Sequence, residues 1–134
     1  WPQVRDGHAV QLFKSYRSDV PDGGQTRDFV YVRDAADVTR WLYETPKVSG
    51  IYNLGTGQAR TFEDMARQVF AAAGRNAAIE YAPMPPAIRD KYQYFTEARM
   101  ERLRKAGYGA PMTPLEDGIA DYVGRYLSQP DPYR

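Results

Sequence analysis

Arginines and tyrosines, rather than acid–base pairs, are the side chains whose placement could do chemistry in this sequence. Arg27 follows a glycine-containing loop and opens the very apolar run "RDFVYV". An arginine fixed at a strand start can grip a phosphate through two parallel hydrogen bonds, because its guanidinium is planar and always charged. The same position equally suits an ion pair with a neighbouring carboxylate. The second cluster is "IRDKYQYF", where Arg89, Lys91, Tyr92 and Tyr94 crowd one loop. Cations among aromatic rings suit a diphosphate and a ring system, or else surface charge with tyrosines packed beneath it.

Other patterns imitate active sites and fail on spacing. Gly55-Thr56-Gly57 sits between an apolar segment and a helix, the order in which phosphate-cradling loops are built. A dinucleotide fingerprint then needs glycine or alanine three residues after the second glycine, and Arg60 stands there. Glu80 mimics the ribose-binding acid but lies inside "AIEY" rather than at a clear strand end. The turn therefore reads as a connector to a helix capped by Thr61. Tyr43 and Lys47 have Tyr-x-x-x-Lys spacing, which needs both side chains on one helical face. Pro46 ends the helix before Lys47, so Tyr43 reads as packing and Lys47 as a solvated loop residue. His8, the single histidine, sits after Gly7 and reads as a surface side chain. Glu63/Asp64 and Glu116/Asp117 suit the positive first turns of helices.

Composition narrows the class. The 134 residues are 43% hydrophobic and 26% charged, as expected for one folded domain with a single core. The net charge of +1 argues against a nucleic-acid binder, which carries a basic surplus. Without cysteine there is no disulfide and no cysteine–zinc site, and one histidine builds no histidine metal site. No apolar run approaches the roughly 20 residues of a membrane span, and no signal pattern opens the chain. The expected setting is cytoplasmic. The opening "WPQVRDG" reads as the tail of a helix closing on Gly7, with its start missing, so the chain is expected to be part of a larger protein.

The elements that must position these residues follow from periodicity. Residues 10–13 read as a strand and residues 15–26 as a Gly/Pro/Asp loop. Residues 27–32 are β-rich on both faces and predict a strand buried on both sides. Asp34 caps a helix that Pro46 stops, and residues 51–54 form the next strand. Thr61 and Asp64 fit a capping box before the apolar stripe Phe62, Met65, Ala66, Val69, Phe70 and Ala73, with Gly74 at C′. Residues 78–81 predict a fourth strand and residues 82–95 an ordered loop. A helix over 96–106 should end at Gly107. Another should start at Thr113-Pro114-Leu115-Glu116, with a cap, proline at N1 and glutamate at N3. Its predicted stripe is Leu115, Ile119, Val123, Tyr126 and Leu127. The order is ββαβαβαα, an α/β arrangement with a small sheet and about four helices.

Three stretches carry a family resemblance: "LFKS…GGQTRDFVYVRDAADVTRWL", "SGIYNLGTGQARTFEDMA" and "YQYFTEARMERLRKAGY". Together they resemble the C-terminal part of the ADP-L-glycero-D-manno-heptose 6-epimerases, extended short-chain dehydrogenases/reductases acting on nucleotide sugars. The likeness runs from about Val4 to Leu127. "RDFVYV" and "YNLGTG" are shared by many nucleotide-sugar epimerases and dehydratases; "YQYFTEA" followed by "LRKAGY" favours the heptose enzymes.

The resemblance implies a parent enzyme that binds NADP on an N-terminal Rossmann domain absent from this chain. It implies transient oxidation of an ADP-heptose at C6 and return of the hydride to the other face, for lipopolysaccharide core synthesis. The catalytic Tyr-x-x-x-Lys would lie upstream. This chain would be most of the substrate domain, inactive alone, within a homo-oligomer. By position Arg27 matches the phosphate-contacting arginine, Tyr92 a substrate tyrosine, and Phe13, Lys14, Ser15 and Tyr16 the substrate loop. Lys14–Tyr16 departs from the shorter, more acidic, glycine-containing version of that loop. Lys91 and Arg89 extend the site on the charge argument above. Two other readings stay open: a different nucleotide-sugar epimerase or dehydratase, and a stand-alone interaction module without catalysis.

Overall fold

A computed structural model describes residues 1–131. In chain order it contains α1 (Pro2–Asp6), β1 (Val10–Phe13), β2 (Thr26–Arg27), α2 (Val32–Glu44), β3 (Arg60–Thr61) and α3 (Phe62–Ala72). Then follow β4 (Ile79–Ala82), α4 (Pro86–Arg89), α5 (Glu101–Lys105), α6 (Leu115–Tyr122) and a π-helical turn over Val123–Leu127. The order ββαβαβαα recurs once α1 and α4 are set aside, but its third strand is Arg60–Thr61 and not the predicted 51–54, and α1 is the helix tail expected before Gly7.

Sheet structure is limited to two pairs. β1 and β4 run parallel, with Val10 opposite Ile79 and Phe13 opposite Ala82. β2 and β3 run antiparallel, with Thr26 opposite Thr61 and Arg27 opposite Arg60. The second pair hands the chain directly into α3 through a capping box. Asp64 donates its N–H to the Thr61 hydroxyl at 2.8 Å, and Thr61 returns its own to the Asp64 carboxylate at 3.2 Å. Gly74 follows in the left-handed region, φ 66°, as a helix terminator should.

Five expectations need correction. The strand predicted over 27–32 shrinks to Thr26–Arg27, and Val30 and Val32 are 40% and 62% exposed. The strand over 51–54 is absent, and Ile51 is 83% exposed. Both segments have strand composition, but no neighbouring strand among the described residues supplies a ladder, and a strand exists only as a pair. The helix over 96–106 contracts to Glu101–Lys105. Its first half is drawn straight by non-local bonds: the Asp28 carboxylate takes the Ala98 N–H at 3.0 Å, and Glu97 takes the Ala59 N–H at 2.9 Å. Asp34 does not cap α2, which starts at Val32 with Tyr31 at the N-cap and carries Asp34 inside its first turn. Finally, Thr113 does not cap α6. Its hydroxyl and N–H both go to the buried Asp34 carboxylate at 2.7 Å, tying the start of α6 to the first turn of α2, and Pro114 takes the N-cap place.

One core joins Val38 of α2, Met100, Leu103 of α5 and Tyr108, bordered by Trp41, Leu42, Tyr52 and Leu54. Trp41 meets Tyr108 edge-on at 5.4 Å. Phe70, Met84 and Val4 are buried in the other half. Of the stripe predicted for the last helix, Val123 is buried, while Leu115, Ile119 and Leu127 line an open apolar groove of about 450 Å³ against Val30, Met65 and Val69. No helix among the described residues is long and apolar enough to cross a membrane.

Candidate functional site

β2 places Arg27. Along one edge of it Arg60 is the cross-strand partner; along the other, Thr26 donates its N–H to the Tyr94 carbonyl at 2.9 Å. The segment carrying Tyr92 and Tyr94 is thereby laid beside the arginine. The Arg27 guanidinium lies 5.5 Å from the centre of the Tyr92 ring and 5.6 Å from that of Phe62, the first residue of α3. Its Nη1 donates to the Thr26 carbonyl at 2.7 Å. Arg60 spends its charge on Glu116 at 2.7 Å and Asp64 at 3.3 Å. Arg27 has no carboxylate within salt-bridge distance among the described residues, so the ion-pair reading of this residue fails.

Beside this cation lies a cavity of about 210 Å³ lined by Gln11, Leu12, Phe13, Gln25, Phe62 and Tyr92. Phe13 touches Tyr92 edge-on at 6.0 Å, and Tyr92 touches Tyr94 at 5.7 Å. Gln25 is 1% exposed, and its amide donates to the Phe13 and Lys14 carbonyls at 3.3 Å, fixing the end of β1 against the cavity. The predicted residues Arg27, Tyr92 and Phe13 are therefore brought together.

The rest of the predicted loop is ordered differently. Lys14 continues the β1–β4 ladder through its N–H to the Ala82 carbonyl at 2.9 Å, and its side chain is exposed. The Ser15 N–H goes to the Asp22 carboxylate at 2.6 Å, which folds the long loop back on itself. Tyr16 donates its N–H to the Tyr94 hydroxyl at 2.9 Å. The Arg89 guanidinium lies 3.8 Å over the Tyr16 ring. Lys91 is exposed and does not line the cavity.

The glycine turn has a structural owner. Asp28, next to Arg27, accepts hydrogen bonds from Thr56 N–H (2.7 Å), Thr56 hydroxyl (2.5 Å), Gly57 N–H (2.9 Å) and Ala98 N–H (3.0 Å). Burial pushes the Asp28 carboxyl up, but the bonds from Thr56, Ala98 and Gly57 outweigh it and hold the group below its ordinary range. A Cβ on Gly55 would sit 2.3 Å from the Asp28 carboxylate, and Gly57 has φ 74°. The N–H groups that would cradle a dinucleotide phosphate already serve a carboxylate, and Arg60 fills the close-packing position. These residues do not fit a dinucleotide, in agreement with the reading of the turn as a connector.

The remaining imitations resolve as follows. α2 ends at Glu44, so Tyr43 and Lys47 do not share a helical face. Tyr43 is not a packing residue, however; it is 87% exposed. His8 is exposed beyond the α1 cap. Sequence reasoning missed three residues: Asp28, Gln25 and the role of Phe62. Phe62 was legible only as part of an apolar stripe, and nothing local marks Asp28 or Gln25 as holders of other segments.

Comparison with known proteins gives the following similarities. Residues 2–55 match the NAD dependent epimerase/dehydratase family. Over 133 residues the chain is 47% identical to an ADP-L-glycero-D-manno-heptose-6-epimerase of Nitratidesulfovibrio vulgaris; the match covers 99% of this chain and 41% of that protein. The chain thus spans less than half the length of this relative. Among solved structures it is similar to the Helicobacter pylori ADP-L-glycero-D-manno-heptose-6-epimerase, with TM-score 0.70 and 26% identity over 95% of this chain and 36% of that one. It is also similar to a Thermus thermophilus UDP-glucose 4-epimerase solved in complex with NAD, with TM-score 0.69 and 28% identity over 88% of this chain and 35% of that one.

Proposed function

We propose, from the similarity to ADP-heptose 6-epimerases along 99% of this chain, that residues 1–134 are the C-terminal, nucleotide-sugar-binding portion of such an enzyme. The intact protein would be an NADP-dependent epimerase inverting C6 of ADP-D-glycero-D-manno-heptose. The nicotinamide cofactor would supply the hydride chemistry and would be held outside this chain, because the fingerprint-like turn among the described residues has its N–H groups taken by Asp28 and has Arg60 in the close-packing position. The intact enzyme would act in the cytoplasm as a homo-oligomer.

The part played by this chain is recognition. The observation that carries the reading is Arg27: a guanidinium within 5.6 Å of the Phe62 and Tyr92 rings that line a cavity, with no carboxylate in salt-bridge distance among the described residues. Such a group is ready to take a diphosphate oxygen through charged hydrogen bonds. The two ring contacts restrict the cation, so less side-chain entropy is lost on binding. Phe13 and Gln25 shape the cavity next to it. Lys14, Ser15, Tyr16 and Lys91 would complete the substrate surface from the flanking loops.

Substrate profiling of the intact protein tests the reading. Conversion of ADP-D-glycero-D-manno-heptose to its C6 epimer, with UDP- and dTDP-sugars left unchanged, is the expected result. Turnover of a UDP- or dTDP-sugar without turnover of the ADP-heptose would assign a different nucleotide-sugar enzyme. The isolated 134 residues are expected to show no turnover; activity from them alone would contradict the proposed division of labour.

A further inference from the structure

We infer that Asp28 is a positioning residue for Arg27: its carboxylate locks the frame that aims the guanidinium, so affinity for a diphosphate depends on it. The inference rests on the site proposed above, but Asp28 does not line the cavity. β2 is two residues long, short for an element that must fix a side chain's direction. One edge of it pairs with β3, Arg27 opposite Arg60. Along the other edge the Thr26 N–H reaches the Tyr94 carbonyl. Past Arg27 the ladder stops, and residues 28–31 form no strand. Arg27 itself donates Nη1 to the Thr26 carbonyl, which leaves its aim to the backbone and to the two rings beside it. Asp28 is the first fixed point after it.

The carboxylate collects donors from both flanks of β2. The Thr56 N–H and hydroxyl and the Gly57 N–H come from the turn that leads into β3 and on to Phe62. The Ala98 N–H comes from the segment that follows Tyr92. The turn sits so close on the carboxylate that a Cβ on Gly55 would collide with it. The two flanks are also joined to each other, Ala59 N–H to Glu97 at 2.9 Å. Phe62 and Tyr92 are the rings that flank the guanidinium, so one carboxylate sets the segments of both rings and the backbone next to the cation. No ion pair joins Asp28 to Arg27 among the described residues, which leaves the cation free for an anion. The sign of the effect separates positioning from charge. A carboxylate beside Arg27 repels a diphosphate, so if only its field mattered, a neutral residue there would tighten binding. A frame that loses its lock weakens binding instead, because charged hydrogen bonds fall off steeply with angle.

Calorimetric titration of the intact protein with ADP tests this, since ADP carries the diphosphate whichever end of the nucleotide sugar the cavity takes. Well below the melting temperature, Asp28→Asn should weaken ADP binding about three- to tenfold, part of what loss of the charged hydrogen bond itself removes. The loss should disappear in an Arg27→Ala background, where the double variant should bind ADP as Arg27→Ala does. A role confined to stability leaves the affinity of the folded protein unchanged. Unchanged or tighter ADP binding in Asp28→Asn would overturn the inference, and so would the same fold-loss in both backgrounds. If Asp28→Asn does not fold, Thr56→Val carries the same comparison. It removes one donor from the carboxylate while leaving the charge in place, and should weaken ADP about two- to threefold in the wild-type background only. An Arg27→Ala variant that keeps its ADP affinity would overturn the underlying site instead, so the two failures are separable.

Discussion

Replacing Asp28 with asparagine should destabilise the protein by about 3–4 kcal/mol. The carboxylate accepts four hydrogen bonds, three of them from backbone N–H groups of the 56–57 turn and Ala98. An asparagine of the same shape offers one oxygen and turns an NH₂ toward donors, so at least two of these bonds are lost. Hydrogen bonds to a charged acceptor contribute roughly 1.5–3 kcal/mol each, and stranded donors add a desolvation cost. Because the site is only partly buried, water recovers some of it, which brings the total below the simple sum. Urea unfolding of the intact protein and its Asp28→Asn variant should show a lower midpoint at unchanged slope. The pH dependence follows from the sign of the shift. Asp28 titrates lower in the folded protein than its ordinary value of about 3.9, so its contribution is complete above that value. The contribution is lost as pH falls through the lower folded value. The gap between wild type and variant should stay constant from about pH 7 to pH 5 and narrow below about pH 4. A gap under about 1 kcal/mol, or one that stays flat down to pH 3, would refute the reasoning.

Gly55→Ala should be destabilising despite the small change, because the new methyl would lie 2.3 Å from the Asp28 carboxylate and 2.5 Å from the Ala98 Cβ. A cost of about 1–3 kcal/mol is expected, read as a fall in thermal midpoint, and a wild-type melt would contradict the packing described. Arg60→Ala would complete the dinucleotide fingerprint in sequence, yet Asp28 still occupies the N–H groups of Thr56 and Gly57. The stoichiometry of NADP bound by the intact protein should not rise, as equilibrium dialysis would show; an additional bound dinucleotide would contradict the reading of the turn.

Local patterns were legible where one element decides its own ends. Thr61 and Asp64 close the capping box that their spacing announces, Gly74 stops α3, and residues 10–13 and 79–82 become strands within one residue of the expected bounds. Legibility failed where a distant partner decides. Ile51 and Val30 have the composition of strand residues, but composition does not say whether a neighbouring strand is present. Thr113 looks like a cap until Asp34, far away in sequence, takes its hydroxyl. Of the candidate site, Arg27 and Tyr92 could be singled out as residue types, a cation after a glycine loop and an aromatic in a basic loop, each with an equally good structural reading beside it. Their juxtaposition was not legible, since it depends on Thr26 bonding to the Tyr94 carbonyl. Arg27, Lys14 and Lys91 all lie outside the lining of the cavity itself, and only Arg27 is tied to it through the Phe62 and Tyr92 rings, a contact that charge counting does not show.

The central claim is that Arg27 holds the diphosphate of a nucleotide sugar. Calorimetric titration of the intact protein and its Arg27→Ala variant with ADP-heptose tests it most directly. Loss of a charged hydrogen bond of about 1.5–3 kcal/mol predicts an affinity roughly ten- to a hundredfold weaker in the variant. Equal affinities would remove Arg27 from the binding site.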